Sequence, residues 1–232
     1  MKALEIKNIS KSYGGLDVLI NVYFTLEQGE RRAIIGPNGA GKTSLFNIIS
    51  GIIKPDSGEI YLLGQNVTRL STYLRSRLGL ARTFQRNTLF NNLSILDNVE
   101  LALHSTKSDS NIKDILRNWG LWDKRKVIVK ELSYGEQRQI EILLALVQSP
   151  KIIILDEPTA GMSPMETKTI TEMIKSLSRD ITVLIIEHDM DVVFNLADGI
   201  SVLHNGQILC EGSPDEIKSN PLVKEVYLGT DH

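Results

Sequence analysis

The chain has 232 residues, of which 42% are hydrophobic and 23% charged, the composition of an ordinary globular protein. Its 26 basic and 28 acidic residues leave a formal net charge of −2, so the composition shows no excess of positive charge of the kind that nucleic-acid-binding proteins have. The single cysteine, Cys210, cannot form a disulfide within the chain. We interpret it as a small core or edge residue rather than a catalytic thiol.

The apolar runs of the chain are short. The longest unbroken one, Ile142–Val147, has six residues, whereas a helix that spans a bilayer needs roughly 20. The first ten residues carry charges at Lys2, Glu5 and Lys7 and lack the apolar stretch of a signal peptide. We therefore expect a cytosolic protein that acts on a membrane only through a partner.

The N-terminal part of the chain has the pattern of β-strands. Residues 3–35 alternate apolar and polar positions in short runs, which predicts strands of a mostly antiparallel sheet. Within it, Arg31–Ile35 is predicted as a strand that leads into a glycine-rich turn. Lys42–Ser50 is predicted as the helix that follows, and Glu59–Leu63 as a further strand.

The turn between that strand and helix reads GPNGAGKT and matches the phosphate-binding loop pattern G-x-x-x-x-G-K-[ST]. Its glycines let backbone N–H groups converge on a phosphate, Lys42 supplies a positive charge, and Thr43 supplies a hydroxyl for Mg²⁺. A chance match in a chain of this length is on the order of one per cent. The predicted ATP-binding residues here are Gly36, Pro37, Asn38, Gly39, Ala40, Gly41, Lys42, Thr43 and Ser44.

From about Leu93 to Val147 the pattern becomes helical, with a polar loop predicted at Thr106–Asn111. Strands and helices then alternate, which implies a parallel sheet with crossover helices. The dipeptide Asn205-Gly206 joins two short apolar runs and predicts a hairpin. The alternating elements are predicted at Lys151–Leu155, Pro164–Leu177, Ile181–Ile186, Met190–Leu196 and Ile200–Leu203.

Two further motifs contain residues that could take part in catalysis or binding. IIILDEP is an apolar strand that ends in two carboxylates: Asp156 can hold Mg²⁺ through water, and Glu157 can polarise an attacking water. LSYGEQ places Ser133 and Gly135 at the start of a predicted helix. Alone, this motif would indicate no more than a helix cap.

Taken together, these motifs resemble the ATP-binding cassette (ABC) ATPases over almost the whole chain. The resemblance implies an α/β fold with a P-loop NTPase core, an N-terminal antiparallel β-subdomain and an inserted α-helical subdomain. Residues 1–86 and 149–232 would form the nucleotide-binding core, and 87–148 the helical subdomain with the LSYGEQ motif. The implied ligands are ATP and Mg²⁺.

The resemblance also assigns roles to single residues. Tyr13 would stack on adenine, Gln85 would reach the metal and the attacking water, and His188 would contact the γ-phosphate. Two subunits would pair head to tail, so that Ser133, Gly135 and Glu136 bind the ATP held by the other chain. Catalysis would then rest on Glu157, His188, Lys42 and Gln85, and the metal on Thr43, Gln85 and Asp156.

The motifs also narrow the subfamily. Tyr134 and Glu136 replace the first Gly and the Gln of the common LSGGQ sequence, and Ser163 stands where an Asp is usual. Together with GLARTFQ, AGMSP and NPLVKEVYLG, these features resemble the ATPases of branched-chain amino acid importers, and those of urea and amide importers share much of the pattern.

The implied partners are transmembrane permeases at the cytoplasmic face of the membrane, a second copy or a second ABC ATPase, and indirectly a substrate-binding protein. Alternatives are an export-system ATPase of the lipopolysaccharide type and an ABC protein acting on nucleic acid, which usually has two cassettes or long insertions. A non-catalytic regulatory module is disfavoured by Glu157.

Overall fold

The computed structural model describes residues 1–83, 89–104 and 111–228. They form two sheets and a set of helices. The strands are β1 (Lys2–Tyr13), β2 (Leu16–Glu27), β3 (Arg31–Ile35), β4 (Ser57–Leu62), β5 (Gln65–Asn66), β6 (Leu80–Arg82), β7 (Ile152–Asp156), β8 (Thr182–Ile186), β9 (Gly199–His204) and β10 (Gln207–Gly212). The helices are α1 (Lys42–Ser50), α2 (Thr72–Arg77), α3 (Ile95–His104), α4 (Ile112–Asn118), α5 (Tyr134–Leu146), α6 (Pro164–Lys175), α7 (Met190–Leu196), α8 (Pro214–Ser219) and α9 (Pro221–Leu228), with a 3₁₀ turn at Val129–Glu131.

The first sheet has the strand order β2-β1-β4-β5, and its pairings are antiparallel. β1 and β2 form a long hairpin that closes at the pair Tyr13 and Leu16. Their inward residues, such as Ile6 and Phe24, are almost fully buried, while alternate positions are more exposed. The predicted antiparallel sheet is therefore confirmed for these two strands.

The second sheet has the order β10-β9-β3-β8-β7-β6, with parallel pairing from β9 to β6. The prediction of a mostly antiparallel sheet over residues 3–35 is wrong for β3, which lies in the middle of this parallel sheet. Arg31–Ile35 is buried at four of its five positions because elements cover both faces, so period-two alternation is absent. β10 pairs antiparallel with β9 through the predicted Asn205-Gly206 turn, and Cys210 lies half-buried on this edge strand.

Separate buried clusters hold the layers together. One joins the two sheets around α1 and includes Leu45 and Phe46, and another fills the helical segment around Ile95, Val99 and Ile140. Having its own cluster is consistent with a helical subdomain, although the boundaries at residues 87 and 148 remain a proposal. Gln85 and most of the loop predicted at 106–111 lie outside the described residues; Asn111, which is described, caps α4.

Arg75 of α2 fixes the far end of α1. Its fully buried guanidinium donates to the carbonyls of Ile48 and Ile49 at 2.6 Å each, and to those of Leu70 and Thr68. Carbonyls in the last turn of a helix have no partner within the regular helical hydrogen-bond pattern, and the side chain of Arg75 supplies donors to two of them in α1. Arg75 therefore stabilises the helix that carries the phosphate-binding loop at its other end.

No helix in the described ranges is long and apolar enough to cross a lipid bilayer.

Candidate functional site

Three loops that follow neighbouring parallel strands carry the candidate site. β8 lies between β3 and β7 in the sheet, and all three strands point in the same direction. The loop after β3 starts at Gly36 and leads into Lys42 and Thr43, the first residues of α1; the loop after β7 begins at Glu157, and the loop after β8 contains His188. Since the carboxyl ends of parallel strands meet at one edge, the topology brings these three loops together.

The phosphate-binding loop lies against the backbone of its neighbours. Gly36 has φ +153°, and a Cβ there would be 2.0 Å from the carbonyl oxygen of Leu203. Gly41 has φ +104°, and a Cβ there would be 2.6 Å from the carbonyl oxygen of Val18. Asn38, Gly39 and Thr43 are exposed at the open side. Glycine is thus required at both ends of the loop by close backbone approach.

Lys42 is folded back onto its own loop. Its Nζ donates to the carbonyl oxygens of Gly36 at 2.6 Å and Pro37 at 2.9 Å, and only 6% of the residue is exposed. Burial lowers the pKa of Lys42, while the negative charges of Glu157 and Asp156 oppose that shift. The lysine therefore lies in the electrostatic field of both carboxylates.

The carboxylate of Asp156 is hydrogen-bonded through one of its two oxygens. It is 1% exposed, and its Oδ2 accepts a hydrogen bond from Arg82 Nη2 at 3.0 Å, whereas its buried Oδ1 has no hydrogen-bond partner among residues 1–83, 89–104 and 111–228. Burial raises the pKa of Asp156, and the charge of Arg82 opposes the shift. A buried carboxylate oxygen without a partner is costly, and it suits a cation or its water shell.

Glu157 and His188 contact each other across the site. His188 Nε2 lies 2.8 Å from Glu157 Oε1, and both side chains are partly exposed. Glu157 has φ +46°, which is unfavourable for a residue with a side chain, and its N–H donates to the Ile186 carbonyl at 2.9 Å. Strain of this kind is common at functional sites.

Glu187, next to His188, ties the loops after β7 and β8 together. It is 3% exposed; one carboxylate oxygen accepts from the N–H of Thr159 at 3.0 Å and from the Thr159 hydroxyl. Its other oxygen accepts from the N–H of His188 at 2.9 Å. The position of the His188 backbone is therefore fixed relative to the loop that carries Glu157.

Ser133 and Gly135 lie at the start of α5, where both donate to one acidic side chain. The Ser133 hydroxyl and the Gly135 N–H donate to Glu166 Oε1 at 3.1 and 3.2 Å. The other oxygen of Glu166 caps α6 by accepting from Ser163. These bonds lower the pKa of Glu166, those from Ser163 most. The donors at this helix start therefore already bind an anionic group of their own chain.

The remaining residues of this motif serve the helix cap. Glu136 accepts from the N–H of Ser133 at 3.0 Å, and Ser133 in turn accepts from the N–H of Glu136, so the two form a capping box. A hydrogen bond from Lys124, more than any other cause, lowers the pKa of Glu136. Tyr134 is 54% exposed. In the single chain, Glu136 is thus a cap residue.

Tyr13 ends β1 next to the turn of the β1–β2 hairpin. Its ring is 43% exposed, and Lys11 Nζ lies 5.4 Å from the ring centroid. The same hairpin reaches the phosphate-binding loop through Val18, which lies against Gly41. The hairpin that carries the exposed Tyr13 therefore also contacts the phosphate-binding loop.

Several residues of this region were not identified from the sequence. Glu166 was detectable, because Ser163 followed three residues later by Glu is the capping-box pattern. Arg82 and Glu187 carry no local signal, since their partners are brought close only by the sheet. Tyr227 of α9 forms a hydrogen bond with the backbone of Gly36, and burial raises the pKa of its phenol to about 12.

Known proteins share both the sequence and the fold. Residues 19–160 match the family model described as ABC transporter, and 207–232 that of the branched-chain amino acid ATP-binding cassette transporter. The chain is 36% identical to the high-affinity branched-chain amino acid transport ATP-binding protein LivG of Salmonella typhimurium, with 97% of each covered. It is also 36% identical to the lipopolysaccharide export system ATP-binding protein LptB of Acidithiobacillus ferridurans, over 97% of this chain and 96% of that protein. The solved structure of an ATP-binding cassette of an ABC transporter in its ADP conformation matches with a TM-score of 0.88 at 32% identity, covering 99% of both chains.

We predict that Gly36→Ala destabilises the fold more than Gly39→Ala does. The first change places Cβ against the Leu203 carbonyl, and overpacking added to backbone strain should cost about 2–4 kcal/mol. Gly39 has φ +81° but nothing within 4 Å of its Cβ position, so its change should cost only about 1–2 kcal/mol of left-handed strain. Urea denaturation of both variants measures the difference, and equal losses would contradict the tight seating of Gly36.

Proposed function

The chain belongs to the ABC transporter family, and from that we propose that it energises an importer by hydrolysing ATP at the three-loop site. It is an ATP-binding ATPase cassette. The observation that carries the residue assignment is the strand order: β8 lies between β3, which leads into Lys42, and β7, which ends in Asp156 just before Glu157.

The described residues support a division of labour at this site. The N–H groups of Gly36–Thr43 and the N-terminus of α1 would bind the phosphates, and Lys42 would exchange its loop carbonyls for them. Glu157 would orient the attacking water and accept its proton. His188, 2.8 Å from Glu157, would hold that carboxylate in place and contact the γ-phosphate, and Tyr13 would stack on adenine.

The residues present also fit Mg²⁺. The unpartnered Oδ1 of Asp156 and the exposed hydroxyl of Thr43 would hold the ion, together with Gln85, which lies outside the described residues. Hard oxygen donors of this kind are the ligands that Mg²⁺ prefers, and it usually keeps several waters. When bound, the ion supplies positive charge against the phosphates.

The transported substrate is proposed to be a branched-chain amino acid. Support comes from the match of residues 207–232 to a branched-chain amino acid transporter model and from the LivG likeness. The equally identical lipopolysaccharide export relative keeps an export role as the second candidate. In either case the chain would bind permeases at the cytoplasmic face of the membrane, and 87–148 would be the subdomain that contacts them.

We further propose that two subunits pair around ATP. Ser133 and Gly135 lie at the start of α5, and both donate to Glu166 of the same chain, which is not part of the phosphate-binding loop. Donors placed in this way would complete the ATP site of a second subunit, a copy of this chain or a related ATPase. Glu166 would then have to release them.

The hydrolysis proposal predicts a specific effect of Glu157→Gln. Removing a positioned base should lower ATP hydrolysis about 10²–10⁴-fold while ATP binding is retained. The control is Glu172→Gln, a substitution at an exposed carboxylate of α6. Steady-state phosphate release and equilibrium binding of a fluorescent ATP analogue measure the two properties. Near-normal turnover of the Glu157 variant would refute its role.

The pairing proposal predicts that Glu166→Gln promotes dimer formation. Glutamine keeps the α6 cap but removes the charge that competes with phosphate for Ser133 and Gly135. In a Glu157→Gln background, the ATP concentration for half-maximal dimer formation should fall about two- to fivefold, as expected for one exposed charge contact. Analytical ultracentrifugation measures this.

A matched control for this experiment is Glu216→Gln, because Glu216 forms the same capping box with Ser213 on α8. It should leave dimer formation unchanged. No shift with Glu166→Gln would contradict the competition alone. Failure of the Glu157→Gln parent to dimerise with ATP would instead contradict the pairing.

The importer assignment predicts a role for Phe90 in permease binding. Phe90 is 60% exposed while its neighbour Leu89 is buried, so Phe90→Ala should not alter thermal stability. An aromatic anchor at an interface contributes about 2 kcal/mol or more, so permease binding should weaken at least tenfold. The control is Tyr23→Ala, 55% exposed on β2.

Pull-downs with permeases of a branched-chain amino acid importer, and separately with those of a lipopolysaccharide exporter, complete this test. Retention by the importer permeases alone supports the proposed substrate class. Retention by the exporter permeases alone would overturn it, and unchanged binding of the Phe90 variant would remove Phe90 from the interface.

A further inference from the structure

Arg82, the last residue of β6, bridges two elements of the site. Its Nη2 donates to Asp156 Oδ2 at 3.0 Å, while its Nη1 donates to Asn47 Oδ1 and to Ser50 Oγ, both at 2.8 Å. The side chain is 9% exposed and that of Asp156 is 1% exposed. One guanidinium therefore connects the tip of β7 to the outer turns of α1.

We propose that Arg82 is a positioning residue for the metal ion of the ATPase site, acting through Asp156. This inference rests on the proposed function, in which Thr43 and Asp156 hold Mg²⁺. Thr43 lies at the start of α1 and Asp156 at the end of β7. The two contacts with α1, to Asn47 and to Ser50, hold the guanidinium in place, and either one can be lost while Arg82 still binds Asp156 Oδ2.

The contact also selects which oxygen of Asp156 is available. A carboxylate can rotate about its last side-chain bond, and its two oxygens are equivalent until one is bound. Arg82 binds Oδ2, and Oδ1 is left buried without a hydrogen-bond partner in the part of the chain that the structure describes. The fork of the guanidinium is rigid and planar, so both contacts are held in one geometry, which a lysine cannot reproduce.

If Arg82 had only a structural role, substitutions at Arg82, Asn47 and Ser50 would have a different set of effects. If Arg82 served only to attach β6 to α1, loss of Asn47 or Ser50 would have the same effect as loss of Arg82. If it served the metal site, only the contact with Asp156 would matter. Partners that orient a metal ligand typically contribute about 10–100-fold to metal affinity.

The test compares Arg82→Gln and Arg82→Lys with Asn47→Ala and Ser50→Ala in the full chain. Affinity for a fluorescent ATP analogue is measured with EDTA and again over a Mg²⁺ titration, alongside hydrolysis at each Mg²⁺ concentration. With EDTA, all variants should bind within about twofold of the parent chain. The Mg²⁺ concentration at half-maximal effect should rise at least about tenfold for Arg82→Gln, less for Arg82→Lys, and not for the two alanine variants.

The outcomes separate the alternatives. An unchanged Mg²⁺ requirement in both Arg82 variants overturns the proposal, and so does an equal shift in Asn47→Ala or Ser50→Ala. Loss of ATP binding with EDTA would mark Arg82 as structural and also overturns it. If Arg82→Gln does not fold, Arg82→Lys carries the test. If ATP hydrolysis by the parent chain does not depend on Mg²⁺, that result would contradict the proposed metal site itself, and not only the role of Arg82.

Discussion

The position of β8 between β3 and β7 is the constraint on which the rest of the site depends. The parallel register, with Ile34 beside Ile186 and Asp156 beside Ile186, places the ends of all three strands level. The phosphate-binding loop, the two carboxylates and His188 then emerge from one edge. The same alignment places the charges of Asp156 and Glu157 close enough to oppose the lowering of the Lys42 pKa by burial. A different strand order would leave each motif intact but without its partners.

Polar side chains fix the positions of the loops and of α1 in this site. Glu187 connects Thr159 to His188, Arg82 connects Asp156 to the C-terminal end of α1, and Arg75 binds carbonyls at that same end of the helix. These buried charges are paired or hydrogen-bonded, as their desolvation requires. Among the described residues, Oδ1 of Asp156 is a buried carboxylate oxygen without a hydrogen-bond partner, which suits the binding of a cation there.

The start of α5 differs from the three-loop site because its donors are already occupied. Ser133 and Gly135 bind Glu166, whose other oxygen caps α6. The close approach of Glu166 also depends on Gly135, since a Cβ there would lie 2.7 Å from Oε1. Gly135 thus admits a carboxylate of its own chain, and a phosphate bound at the same donors, as we propose, would have to displace it.

The sequence by itself determined the local features of this protein: the glycine-rich loop before α1, the strand that ends in Asp156 and Glu157, the cap at Ser133 and the Asn205-Gly206 turn. Each depends on residues close together in the chain, whose φ angles, periodicity and capping follow from their own chemistry. Only the tertiary structure decided that β3 lies in the parallel sheet, that Arg82 reaches Asp156, and that Glu166 binds Ser133. Those outcomes depend on strand order and on pairings across many residues, and a local pattern of side chains carries no information about which distant group will fill a given contact.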